Sequence, residues 1–137
     1  MRSYRYFCST VTLCYLLVLV FLSLNPWVKP AANDIITGLS WDKLEHAFAY
    51  TLFAYLLFLT SMTYNVAFST GSFLSILFVV AGLGGLLEIA QSTLTQTRSG
   101  SWDDAMANAL GALLGCTLYR ITLPFFRRWQ LLNSSVL

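Results

Sequence analysis

The chain has 137 residues, of which 57% are hydrophobic and 10% charged, and its mean hydropathy is +0.67. A soluble domain carries about 25% charged residues, so composition alone excludes an ordinary soluble fold and leaves one compact membrane domain, residues 1–137. The net charge of +2, with no basic patch, excludes nucleic acid as a partner. Cys8, Cys14 and Cys116 stand at spacings that fit no metal or redox motif and read as small apolar helix residues.

Residues 7–24 form the first apolar run, with Arg2 and Arg5 ahead of it. A signal-peptide core spans about 7–15 residues and is followed by a small-residue cleavage site. This run is longer and no Ala-x-Ala follows it closely, so a retained signal anchor is expected rather than a cleaved leader. Residues 25–40 connect, with Pro26 and Pro30 against helix propagation and Asn33, Asp34 and Gly38 as turn formers. The second span is expected over 43–62, and the turn that opens it holds Trp41, Asp42, Lys43, Glu45 and His46. Residues 64–71 read as a short uncharged turn. A third span over 73–91 carries Glu88 and Gln91 near its end, and a polar loop with Arg98 and Gly100 follows. The fourth span, 103–123, is expected to stop at Pro124, leaving a short tail with Arg127 and Arg128. There is no convincing internal repeat. Lipid cannot satisfy open backbone groups, so each run must be helical. The expected fold is all-α, a four-transmembrane-helix bundle with short loops.

Basic residues orient the bundle. With the N-terminus inside, Arg2, Arg5, Arg120, Arg127 and Arg128 face the cytoplasm, against Lys29, Lys43 and Arg98 outside, as the positive-inside rule asks. Trp27, Trp41 and Trp102 then fall at the outer interface and Trp129 at the inner one. The expectation is a multi-pass protein of a bacterial cytoplasmic membrane with both termini in the cytoplasm.

Alternation of spans brings the polar residues together. The second helix starts, the third ends and the fourth starts at one rim, so Asp42, Lys43 and His46 share a level with Glu88, Gln91, Arg98, Asp104 and Asn108. Asp42, His46 and Tyr50 are four residues apart and form one stripe, and Glu88 and Gln91 share a face. Asp104, Asn108, Gly111 and Gly115 lie on or near one stripe of the fourth helix. At about 1.5 Å per residue, His46, Glu88 and Asn108 lie one to two turns inside their helix ends. A charge at a helix centre in lipid costs about 2.5–3.5 kcal/mol, so these groups should face one another. Each also has a plainer reading. Asp103 and Asp104 suit a helix N-terminus, Arg98 suits a headgroup anchor, His46 suits ordinary packing, and Asn108 suits a cross-link between helices. Gly82, Gly84, Gly85, Gly111 and Gly115 read as close-packing surfaces, with Gly84 and Gly85 also placed to clear space for a ligand.

In order, Asp42-Lys43-x-x-His46-x-x-x-Tyr50, Glu88-x-x-Gln91, Arg98 and Asp104-x-x-x-Asn108-x-x-Gly111-x-x-x-Gly115 resemble the VanZ-like family of small membrane proteins over residues 42–115. No single piece is specific; the ordered set is. The loop before Arg98, Leu94-Thr95-Gln96-Thr97, departs from the family in lacking a Pro-Gly pair. The family takes its name from glycopeptide resistance, specifically lowered susceptibility to teicoplanin, so the resemblance implies a cell-envelope role.

The preferred reading is a binding module: Asp42, Lys43, His46, Glu88, Gln91, Arg98, Asp104 and Asn108 line a polar pocket for an envelope lipid, a lipid-linked precursor or a glycopeptide, with Arg98 and Lys43 on phosphate or carboxylate. The alternative is an intramembrane hydrolase or transferase on a lipid-linked substrate, with His46 and Glu88 as the acid–base pair and Arg98 stabilising developing charge. No serine or cysteine has a nucleophile context, which favours binding over catalysis. A divalent-ion set of Asp42, His46, Glu88 and Asp104 fits no established metal spacing, so neither a metal nor a cofactor is expected. A transporter is disfavoured because the inner halves of the spans are almost wholly apolar. Gly111 and Gly115 offer a face for a homo-oligomer.

Overall fold

The computed structural model describes residues 2–25, 34–36, 39–94 and 100–134. Its helices are α1 (Arg2–Leu24), α2 (Trp41–Thr63), α3 (Thr70–Leu94) and α4 (Trp102–Ser134). Two short strands, β1 (Asp34–Ile36) and β2 (Leu39–Ser40), pair antiparallel just before α2. All of α1, α2 and α3, and Trp102–Phe126 of α4, are long and apolar enough to cross a membrane. Spans of 23–25 residues reach roughly 35 Å at about 1.5 Å per residue, enough for a hydrocarbon core about 30 Å thick. The chain is therefore an integral, multi-pass, all-α membrane protein.

Helix ends follow local chemistry. At the end of α2, Tyr64, Asn65 and Val66 donate their N–H groups to carbonyls of the last turn, and Asn65 takes the left-handed conformation with φ 60°, which asparagine tolerates better than most residues. Ser69 then caps α3: its Oγ accepts the Ser72 N–H at 3.1 Å, and Ser72 Oγ accepts the Ser69 N–H at 2.8 Å. This is a reciprocal capping box with serine in the place usually held by Glu or Gln. Ser101 starts α4 by accepting the Asp103 N–H at 3.1 Å.

One boundary departs from expectation. Pro124 does not end the fourth helix, which runs on to Ser134. Proline removes its own N–H bond, here to the carbonyl of Arg120, and its ring crowds that same carbonyl, so the disturbance is confined to one turn. Arg120 is exposed near the end of the spanning stretch, where water can take up the freed carbonyl.

The largest interface joins α2 to α4, and α3 packs mainly on α4. Two glycines set the α2–α4 distance. A Cβ on Gly111 would strike the Ala47 carbonyl oxygen, and one on Gly115 would strike that of Thr51. Thr51 Oγ1 lies 3.0 Å from the Gly111 carbonyl and 2.7 Å from that of Ala47, so its one proton is shared across the contact. The glycine face expected to serve a homo-oligomer is covered by α2 within the single chain. Farther down, Phe58 of α2 stacks on Tyr119 of α4 with centroids 4.6 Å apart and planes 9° apart, and Phe68 and Tyr55 close around them. Helix α1 is fastened to α2 by Thr12–Thr60 (2.8 Å) and by the Tyr15 hydroxyl donating to the Ala49 carbonyl (2.9 Å).

Candidate functional site

At the rim opposite this aromatic stack, the end of α1 meets the start of α2, the end of α3 and the start of α4. Glu88 of α3 is the centre of the cluster and is only 6% exposed. Its Oε1 accepts from Asn108 Nδ2 at 3.3 Å, and its Oε2 accepts the Ser101 backbone N–H at 3.2 Å. One carboxylate thus holds both the side chain and the first turn of α4. Gly100 is required beside it, because any Cβ there would collide with the Glu88 carbonyl oxygen.

Asn108 carries the connection onward. It is fully buried, and its Oδ1 lies 2.9 Å from His46 Nδ1. Gly84 makes room for it: a Cβ at Gly84 would lie 2.7 Å from the Asn108 Cβ and 3.0 Å from the Tyr50 ring. The space at Gly84 thus belongs to Asn108 and Tyr50, whereas Gly85 has nothing within 4 Å of a Cβ. His46 also stands 3.8 Å from Asp42 through Nε2 and 3.8 Å from Glu88 through Nδ1. On the other side, one ligand atom each from Asp42, His46 and Asp104 lie within 4.8 Å of one another. The i, i+4, i+8 stripe on α2 therefore meets the Asp104–Asn108 stripe on α4, as helical periodicity predicts.

The remaining polar residues are placed differently. Gln91 is buried and donates through Nε2 to the Ser23 carbonyl at 2.6 Å, tying α3 to the end of α1. Lys43 pairs with Asp103 at 3.2 Å, with side chains 26% and 67% exposed. Such a pair contributes about 1 kcal/mol or less to stability. Arg98 lies outside the described residues.

A cavity of about 190 Å³ opens between α1 and α2 beside the cluster. Its polar end is formed by Ser23, Asp42, Glu45 and His46, and its apolar wall by Val18, Leu19, Leu22 and Ala49. Asp42 and His46 line it; Glu88 and Asn108 stand behind His46. Sequence reasoning missed Glu45 and the whole α1 wall. Glu45 is three residues from Asp42 and shares its face, a signal that was available. The α1 residues carry no mark, since a generic apolar helix shows nothing of which face it turns inward.

Residues 9–124 match the family model described as VanZ/LLP1. No curated protein and no solved structure matches the chain.

Proposed function

From the premise that the chain belongs to the VanZ/LLP1 family, and from the cavity at its polar rim, we propose that it binds an amphiphilic molecule of the cell envelope, a lipid or lipid-linked precursor, on the extracytoplasmic side. The observation that carries this reading is the two-faced cavity, carboxylates and an imidazole at one end and aliphatic side chains along the wall. Its volume of about 190 Å³ is below the roughly 300–1,000 Å³ of sites that enclose a small molecule. A partial fit suits a ligand whose remainder stays in the bilayer. Headgroup hydroxyl or amino donors would meet Asp42 and Glu45, and the first part of the chain would lie along Leu19, Leu22 and Ala49. A glycopeptide with a lipophilic tail has the same two-faced character, which connects the site to the resistance role the family name implies.

Purified protein in nanodiscs is expected to retain a lipid or lipid-linked precursor from an envelope extract, read by native mass spectrometry. Ala49→Trp fills the cavity without touching the Glu88 network and is expected to abolish retention; Arg98→Ala tests the anion-holding role assigned to that loop. Full retention in both variants would retire the reading.

The intramembrane hydrolase or transferase keeps one supporting observation, that His46 lines the cavity. Glu88 is a poor acid–base partner because both of its oxygens already accept hydrogen bonds. Turnover of envelope lipids by the purified protein, lost in His46→Ala, is the outcome that would favour catalysis over binding.

A further inference from the structure

The cavity between α1 and α2 has a floor. Its lining runs from Ser23 down to Tyr15 on α1 and from Asp42 down to Tyr50 on α2. At the lower end the Tyr15 hydroxyl crosses from α1 and donates to the Ala49 carbonyl at 2.9 Å. That bond holds the ring across the gap, close to parallel with the ring of Phe53, centroids 6.3 Å and planes 23° apart. Phe53, one turn below Ala49, is 3% exposed. Nearer the opposite rim the helices bond directly, Thr12 to Thr60 at 2.8 Å and Thr60 to the Cys8 carbonyl at 3.3 Å. Above the floor the cavity is open sideways, because Val18 and Leu22 line it and are themselves exposed.

We propose that Tyr15 is a specificity-determining residue of this site: it admits one hydrocarbon chain, from the leaflet on the polar-rim side, and only to the depth of the Tyr15–Ala49 bond. This assignment rests on the lipid-binding reading proposed above and deepens it by naming the part of the ligand that is held. Asp42 to Ala49 is seven residues, so the floor lies roughly 10 Å below the polar end at about 1.5 Å per residue. Each carbon of an extended chain advances somewhat less than its bond length of about 1.5 Å, so about eight carbons reach the floor. An apolar cavity of about 150 Å³ holds one benzene. At about 190 Å³, part of it taken by the headgroup, this one has room for a single chain segment and not for two side by side. Carbons beyond the floor turn out past Val18 and Leu22 into the bilayer, which costs little because lipid solvates them about as well as the protein does. Chain length beyond that point is therefore not read, whereas bulk close to the headgroup is.

The test maps chain contacts in nanodiscs with lysophosphatidylethanolamine probes. Each carries a photoreactive diazirine about five or about thirteen carbons from the headgroup, on either side of the expected reach. Only labelling that excess unlabelled lysophosphatidylethanolamine displaces is counted. In the parent the shallow probe is expected to label Leu19 and Ala49, and the deep probe to label neither Ala49 nor Phe53. Tyr15→Ala removes the floor, and the deep probe is expected to gain labelling of Phe53. Tyr15→Leu, too short to reach Ala49, is expected to show the same gain with a smaller loss of packing. Tyr15→Phe keeps the ring and is expected to keep the parent pattern, as is Thr12→Val, which loosens α1 on α2 away from the cavity. Deep labelling of Phe53 in the parent or in Thr12→Val overturns the floor and leaves lipid binding standing. So does the lack of any gain in both Tyr15→Ala and Tyr15→Leu while shallow labelling persists. Absence of displaceable shallow labelling in the parent overturns the floor and the lipid-binding reading together.

Discussion

The two ends of the α2–α4 interface are held by different physics. At the aromatic end, Phe58 stacks on Tyr119 and Phe68 packs at their edge. At the polar end, two glycines bring the backbones together and the His46–Asn108–Glu88 chain runs across three helices. In water the aromatic end would dominate stability. In a bilayer, lipid tails solvate apolar side chains about as well as the protein does, so packing and hydrogen bonds replace the hydrophobic effect between helices. The polar end is then both the more stabilising end and the one with chemical groups to offer.

The sharpest way to break that comparison is Gly111→Ala. The added methyl meets the Ala47 carbonyl, backbone that has no rotamer to yield, so α2 and α4 must separate. Overpacking of this kind costs about 3 kcal/mol. Gly85→Ala, with open space around the new Cβ, is the control and is expected to leave stability unchanged. Reversible unfolding in mixed micelles distinguishes them; equal stability of the two variants would show that the glycine contact does not set the helix spacing.

Glu88→Ala follows in size. It removes the acceptor for the Ser101 N–H and the Asn108 amide together, and leaving buried donors unpaired costs about 2 kcal/mol. The loss should appear first as fraying of the α4 N-terminus, seen as faster amide exchange at Ser101 and the residues after it. Uniform exchange along the helix would mean that Glu88 does not anchor that turn. Phe58→Ala tests the other end. In a water-soluble core such a truncation costs about 3–5 kcal/mol. Here the side chain is buried at the helix contact, but lipid replaces water around the separated helices, so the transfer part of that cost falls away and about 1–2 kcal/mol is expected, mostly lost packing and the stacking pair. A cost as large as the soluble value would make the aromatic end the stronger one.

The same contrast explains what could be read from the chain. The spans were legible because composition and the demand for internal backbone bonding leave a membrane segment no other form. The meeting of His46, Asn108 and Glu88 was legible because alternating spans return to the same rim and a period near 3.6 sorts their faces. What a line of residues does not show is which acceptor a buried donor finds. Gln91 was assigned to a ligand and instead bonds the Ser23 carbonyl. Ser101, not the aspartates beside it, accepts the first-turn N–H of Asp103. Pro124 looked like a terminus because the rule for proline describes a buried helix interior, and here the lost bond falls at an exposed turn. Asp42, His46 and Asp104 were grouped from those same helical stripes, but Glu88, set beside them in that grouping, turns its oxygens to Asn108 and Ser101.

The smallest effect is the most discriminating. Thr12→Val is nearly isosteric and removes the Thr12–Thr60 hydroxyl bond of 2.8 Å, one of the ties between α1 and α2. Interhelical hydrogen bonds in a membrane average about 0.6 kcal/mol, because the separated helix finds other partners. Thr60 keeps a second acceptor in the Cys8 carbonyl at 3.3 Å, so Thr12→Val should cost about that much, and Thr12→Val with Thr60→Val only slightly more than either alone. The Glu88 network differs because the Asn108 amide is buried, and among the described residues neither it nor the Ser101 N–H has a second acceptor. A double-mutant cycle measures this difference directly. If the single hydroxyl bond proved as costly as Glu88→Ala, the bilayer would be magnifying every polar contact alike, and the polar rim would owe its stability to its surroundings rather than to the way Glu88, Asn108 and His46 are joined.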